Sequence, residues 1–415
     1  MNPRRLARAL LVVAALPALL VSADGSATPL GVSPMTPNAA LLARARSGDA
    51  AAAATLFAAD LIGALGATTP GNLAASPLSV DDVLSMLAPG ARGDTGRALQ
   101  AALHASVDPA ALLADMAALR RDLGTGAGLR IAAAAWLQQG FPLRDDYHRL
   151  LTDAGAPPRA ADFARDAEAA REAVNAWIEE NTEGRIAGMV PRGAFDETTR
   201  VVLADAVALD AAWAAPFAKA LTTAQPFHAP GGDVPVPTMH RTESMDYATG
   251  AGWQAVRLPY QGGRLDALVV LPDPGVDPLA VLPAVTAPQA REAFAGTQVA
   301  LALPRFEIRS RFDLQQALTA LGLGDVFDPR RADLSGMAGQ PGDLYVSTAL
   351  HQALLSVDEA GTKGAAATVM GVSVTSARVH RTPPVPMTVD RPFLFVVEDS
   401  QHGVPVFVAR VSDPR

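Results

Sequence analysis

The 415-residue chain has no cysteine. That excludes disulfides, thiolate metal sites and a cysteine nucleophile. Lysine is nearly missing as well, with Lys219 and Lys363 the only two. Arginine and alanine are abundant instead, a bias that reads as a GC-rich bacterial coding sequence. Charged residues make up 18% of the chain, against about 25% in an average domain. With a formal charge of -8, the acidic balance argues against nucleic-acid binding, which needs basic stripes. There is no GxxxxGK[ST] phosphate loop, no HExxH zinc helix and no GxSxG nucleophile elbow. The seven histidines are scattered singly, so neither a metal site nor a cofactor is implied. Ser76, Asp205 and His351 do occur in the Ser, Asp, His order of one hydrolase class. Without geometry that order carries little. Beyond the first residues, no segment reads as long and apolar enough to span a membrane.

What is present points to a packed globule, since 49% of residues are hydrophobic. Arg4, Arg5 and Arg8 precede the apolar run Ala9–Val21, and small residues come next at Ser22 and Ala23. That order is a secretory signal, placed at 1–23. Its apolar run is short for a membrane span of about 20 residues. The chain is therefore expected to be secreted, extracellular or periplasmic. Residues 24–37, DGSATPLGVSPMTP, read as a flexible linker. No internal repeat or hinge divides the remainder, so one large domain is expected over 38–415.

Helices and strands alternate without a fixed order, an α+β pattern with long-range strand pairing. Asn38–Leu65 reads as helix with a break near Ser47-Gly48. Pro77–Ala88 is predicted helical, capped by Ser76 with Pro77 in the first turn. Asp166–Asn181 is predicted helical with Ala173, Trp177 and Ile178 on one face, and Phe312–Leu321 is a third helix. In LALPRFEIRS, Phe306 and Ile308 alternate with charged residues, as a half-buried strand requires. Leu265–Pro272, Pro392–Asp399 and Val404–Val411 are nearly all apolar, the mark of fully buried strands. Gly403 between the last two predicts a hairpin.

One late segment differs from its surroundings. Asp358–Pro386 begins with Gly, Thr and Ala and ends with Pro383, Pro384 and Pro386. Small residues bury little, and prolines favour an extended exposed chain. Apolar strands bracket it. A long structureless stretch inside a compact domain is usually functional.

Taken with that segment, the chain resembles the serpins, the serine protease inhibitor family. NLAASPLSV (Asn72–Val80) is similar to the family's helix start, and MLAPGARGDT (Met86–Thr95) to the family segment after that helix. VNAWIEENTEGRIAGMV (Val174–Val190), VRLPYQGGRLDALVVLP (Val256–Pro272) and LALPRFEI (Leu301–Ile308) resemble further family segments. ADLSGM (Ala332–Met337), LYVSTALHQA (Leu344–Ala353), DEAGTKGAAAT (Asp358–Thr368) and the stretch Asp390–Pro414 come next in family order. The resemblance implies a serpin fold with mixed sheets, eight or nine helices and an exposed reactive-centre loop at about 359–386.

It also implies a suicide substrate rather than an enzyme. A target protease attacks the loop and forms an acyl-enzyme. The freed loop then inserts into the central sheet and the trapped protease is distorted. The partner is a serine protease held covalently, with a cysteine protease as a second class. Nucleic acid, membrane and cofactor are not implied, and a monomer is expected. The hinge is Glu359, Gly361, Thr362, Gly364, Ala365, Ala366, Ala367 and Thr368. With Thr362 inward, Gly364, Ala366 and Thr368 are inward too, all small and uncharged. Counting sixteen residues from Glu359 puts the scissile bond at Thr375-Ser376, suited to an elastase- or subtilisin-like pocket. Counting back from Pro392 moves it toward Arg381, and Arg378 or Arg381 would invite a trypsin-like enzyme. Ser76, Ser79, Asp205 and His351 match the family's sheet-opening cluster, and Trp213 the tryptophan at the top of the sheet. Asp205 stands where the family has Asn. Either it forms a charged, pH-dependent pair with His351 or it copies Asn as an acceptor. The alternative function is a non-inhibitory binding or storage protein on the same fold.

Overall fold

Two capped helices open the part of the chain that the computed structural model describes, residues 38–124, 128–362 and 383–415. The expected signal (1–23) and linker (24–37) lie outside the described residues. In α1 (Ala39–Arg46) the Asn38 Oδ1 accepts from the N–H groups of Ala40 and Leu41. In α2 (Ala50–Thr68) the Asp49 Oδ1 accepts from Ala52. Gly48, at φ 89°, makes the break between them. By length and composition alone α2 is long and apolar enough to cross a membrane, contrary to the reading of the sequence. Ten of its 19 residues are buried in this fold, which is where its apolar surface goes.

The remaining helices are α3 (Pro77–Leu87), α4 (Gly93–Ala102), α5 (Pro109–Gly124), α6 (Asp145–Asp153), α7 (Ala167–Asn181), α8 (Leu282–Val285), α9 (Pro288–Ala293) and α10 (Gln315–Leu318). That makes ten among the described residues, and α8 and α10 are single turns.

Among the described residues, sixteen strands form two sheets. The first half of the chain gives β1 (Leu73–Ala75), β2 (Leu129–Gln138), β3 (Arg159–Ala161), β4 (Val201–Leu209) and β5 (Ala211–Ala212). Then come β6 (Thr223–Ala229), β7 (Gly232–Gly250), β8 (Trp253–Pro259), β9 (Leu265–Pro272), β10 (Ala295–Pro304) and β11 (Phe306–Asp313). The last are β12 (Val346–Val357), β13 (Gly361–Thr362), β14 (Val385–Thr388), β15 (Phe393–Asp399) and β16 (Pro405–Val411). The larger sheet runs β1-β16-β15-β9-β8-β7-β10-β14, with β6 on β7. Its β15–β16 hairpin turns at Gly403, φ 72°. The other sheet runs β3-β2-β4-β12-β13-β5, with β11 on β12.

Strand β4, VVLADAVAL, is buried at every position because the sheet is covered on both faces. Val202, Ala204 and Ala206 pack toward α7, beside Val174 and Ile178. Leu203, Val207 and Leu209 face the main core, which includes α3. The period of two therefore turns Asp205 toward α3. On β12, Leu350 takes the α7 side and Ala349, Ala353 and Leu355 the core side, so His351 joins Asp205.

Two predicted elements shift. Phe312 and Asp313 belong to β11, paired with His351 and Leu350, because the alternation begun at Phe306 continues that far. The helix starts only at Gln315. On α7 the buried residues are Ala170, Val174 and Ile178. Ala173 is exposed and Trp177 is half-buried, its ring edge-on to Trp136 with Arg159 over both.

Candidate functional site: the loop hinge and the polar cluster

Strand β12 runs parallel to β4 and pairs with it directly from Val346↔Val201 to Leu354↔Ala208. Beyond that point the chain folds back. Asp358, Glu359 and Ala360 form a turn, closed by the Asp358 N–H donating to the Gly361 carbonyl at 2.9 Å. Gly361 and Thr362 then form β13, wedged antiparallel between β12 (Thr362↔Val357) and β5 (Gly361↔Ala212, Thr362↔Ala211). Gly361 is required here by close approach. A Cβ on it would sit 2.2 Å from the Ala211 carbonyl oxygen and 2.7 Å from the Ala212 Cα.

Three consecutive carbonyls of the turn are claimed by the segment after β5. The Trp213 N–H donates to Ala360 and its ring N–H to Asp358, at 2.9 and 3.0 Å. The Phe217 N–H donates to Glu359 at 2.9 Å. The Glu359 side chain is buried, accepts from Thr222 Oγ1 at 2.7 Å, and lies 3.8 Å from Arg305. Thr362 is also buried, with Oγ1 2.5 Å from the Tyr260 hydroxyl. Burial holds the Tyr260 phenol protonated above its ordinary range, and either hydroxyl can donate in this bond. Trp213 stacks on Tyr260 at 4.5 Å and 13°.

The second half of the site lies lower in the sheet. Ser76 caps α3, its Oγ accepting from the Ser79 N–H. The Ser79 hydroxyl donates to Asp205 Oδ2 at 2.7 Å. His351 Nδ1 is 2.7 Å from the same oxygen, and its Nε2 accepts the Ser76 N–H at 3.0 Å. All four residues are fully buried. With Nε2 used as an acceptor, the imidazole is neutral and carries its proton on Nδ1. The charged Asp205–His351 pair weighed from the sequence therefore does not fit this network. Asp205 serves as a double acceptor through Oδ2, and its Oδ1 has no hydrogen-bond partner among the described residues. Nor is this a catalytic triad. Ser76 meets His351 through its backbone rather than its hydroxyl, and none of the group reaches solvent.

Gly364, Ala365, Ala366, Ala367 and Thr368 lie outside the described residues. So do both bait assignments, Thr375-Ser376 and Arg378 or Arg381. Sequence reasoning missed Tyr260, Phe217 and Thr222. Tyr260 is one of only four tyrosines, but nothing local to it signals a partner a hundred residues away.

Residues 52–414 match the family model described as serpin (serine protease inhibitor). The chain belongs to the serpin family. An uncharacterized serpin-like protein of Thermococcus kodakarensis is 32% identical over 352 residues, 83% of this chain and 81% of that one. The leukocyte elastase inhibitor of Sus scrofa is 30% identical over 382 residues, 88% and 99% of the two chains. Among solved structures, Serpin48 of Tenebrio molitor superposes with a TM-score of 0.77 at 27% identity, covering 90% of this chain and 99% of its own. Serpins are generally protease inhibitors rather than enzymes.

Two expectations test this serpin's site. Gly361→Ala pushes β13 off β5, so the Trp213 and Phe217 amides should exchange about tenfold faster or more. Unchanged exchange would contradict the wedge. Asp205→Ala orphans the His351 Nδ1–H and should cost about 1–3 kcal/mol in urea unfolding. Asp205→Asn keeps an acceptor and should be at least as stable as wild type. An Asn variant as weak as the Ala one would mean that the charge itself is needed.

Proposed function

We propose that this serpin inhibits a serine-type endopeptidase by offering the loop between β13 and β14 as a substrate and inserting it once cut. The observation that carries the reading is the wedge of β13. Its register, continued without a bulge between β12 and β4, would bring Thr368 beside Asp205 and His351. One parallel ladder would then be exchanged for two antiparallel ones, which are more stable per residue. Thr362 already faces the core, so Gly364, Ala366 and Thr368 would face inward in turn. None carries a charge or exceeds Thr in size. Lys363 would face the opposite way, where its stem can reach water.

Thr375-Ser376 is the proposed scissile bond. A small β-branched residue suits an elastase- or subtilisin-like pocket, and the inhibitor from Sus scrofa is named for leukocyte elastase. Cleavage at Arg378 or Arg381 would instead point to a trypsin-like target. It would also lengthen the inserting arm and slacken the pull. The secretory reading of residues 1–23 agrees with a target met outside the cytoplasm.

The test is a panel of elastase-, subtilisin- and trypsin-like enzymes mixed with the mature chain. A covalent complex surviving SDS is expected with the first or second class, and the mass of the released fragment gives the bond. Thr362→Arg should be cut at the same bond without trapping, because a charge cannot enter the core face. If wild type is only cleaved by every enzyme in the panel, or Thr362→Arg inhibits as well as wild type, insertion is not the working step.

A further inference from the structure

Helix α3 is fastened to both strands that must part. Its cap residue Ser76 gives an N–H to His351 of β12, and Ser79 gives its hydroxyl to Asp205 of β4. The next turn of α3 carries Asp81 and Asp82, each only 2% exposed. Two adjacent carboxyls at that depth need compensation. Asp82 has it, since one Nη of Arg120 on α5 donates to both its oxygens at 2.6 and 2.7 Å. Asp81 does not, and its Oδ1 is buried with no hydrogen-bond partner among the described residues.

The elements packed on α3 supply little else. Asp115, Arg121 and Asp122 of α5 are exposed, away from α3. On α2, Asp60 pairs with His104 at 2.7 Å. On β2, Arg130 bonds Glu183, and on β16 the Arg410 guanidinium bonds the Thr69 and Gly71 carbonyls. Tyr147 of α6 donates its hydroxyl to the Met86 carbonyl, and burial keeps it protonated. His351 is neutral by its hydrogen bonds. Of the three buried carboxyls Asp81, Asp82 and Asp205, only Asp82 is paired with a guanidinium, that of Arg120. Burial, and then the neighbouring Asp82, push the Asp81 carboxyl up to about 8. Burial raises Asp82 as well, opposed by Arg120 and reinforced by Asp205.

We propose that Asp81 is a proton latch on the central sheet: its carboxyl stays protonated while α3 is clamped beneath β4 and β12, and releases that proton to solvent when the sheet opens. The latch rests on the proposed inhibition only in that both need β4 and β12 to part. Its measurement needs no protease.

Proton linkage sets the sign. A hydrated Asp81 ionises near 4, whereas the clamped one holds its proton to about 8. The closed sheet is therefore favoured most below about pH 4. As pH rises to about 8, that advantage is lost by up to about tenfold per pH unit. Above about 8 both states are ionised and the effect levels off.

The experiment compares wild type with Asp81→Asn between pH 5 and 9. The readouts are the urea unfolding constant and the opening constants of β4 and β12 amides, corrected for intrinsic exchange. The ratio of wild-type to Asn opening constants should climb by up to about tenfold per unit to about pH 8 and then flatten. Asp115→Asn, an exposed acid on α5, should track wild type. Asp81→Ser, neutral and smaller, covers the case that the Asn variant does not fold, and should serve equally as reference. A ratio that stays flat with pH against either neutral variant overturns the latch. A climbing ratio in a protein that traps no protease upholds the latch and removes the inhibition.

Discussion

Strands β4 and β12 exchange hydrogen bonds directly over eight pairings, and beyond the last of them the chain has already begun to drive them apart. Among the described residues, only Gly361 and Thr362 occupy that opening, held by the Asp358, Glu359 and Ala360 carbonyls on Trp213 and Phe217 and by the Thr362 hydroxyl on Tyr260. In the proposed function this parallel ladder gives way to two antiparallel ones, which are more stable per residue. On that proposal the closed sheet persists only while the chain between β13 and β14 is uncut. This one topological constraint gives the glycine at 361, the small residues after it and the buried polar group beneath the sheet a common purpose.

That polar group shows how the closed sheet is held without being welded. An apolar contact between α3 and the strands would be non-directional and would survive sliding. Hydrogen bonds from Ser76 and Ser79 to His351 and Asp205 do not, since they have one good geometry each. They therefore favour one relative position of β4, β12 and α3. Three carboxyls, Asp205, Asp82 and Asp81, are buried close by, and of these only Asp82 is paired with a guanidinium, that of Arg120. In the proposed function, the same patch would meet Thr368 of the inserted strand.

Much of this was legible in the sequence, for identifiable reasons. Runs such as Leu265–Pro272 and Val404–Val411 are nearly all apolar because helices or a second layer cover both faces. Gly361 and Thr362 stood out because small residues there interrupt two apolar strands, and Glu359 through the resemblance of DEAGTKGAAAT to the serpin hinge. Local pattern failed where tertiary contacts decide. Leu314, Leu318 and Leu321 have helical spacing and drew the predicted helix back to Phe312, but pairing with His351 makes Phe312 strand. Ala173 and Ala170 are indistinguishable by residue type, and only the sheet beneath α7 selects Ala170. An apolar run such as α2 reads alike in a membrane and in a core. Asp81 and Asp82 gave no signal at all, since acids near a helix start are ordinary and only their depth sets them apart. The charged reading of Asp205 fell because a backbone N–H, which no side-chain pattern reveals, occupies His351 Nε2.

The proposed function turns on free energy stored in the intact fold. The most direct measurement is the thermal midpoint of the intact chain against the same chain cut once between residues 363 and 382. Release of the tether should let the loop complete the sheet, so the cut form should melt well above the intact one. A cut form that melts at the same temperature or lower would contradict it.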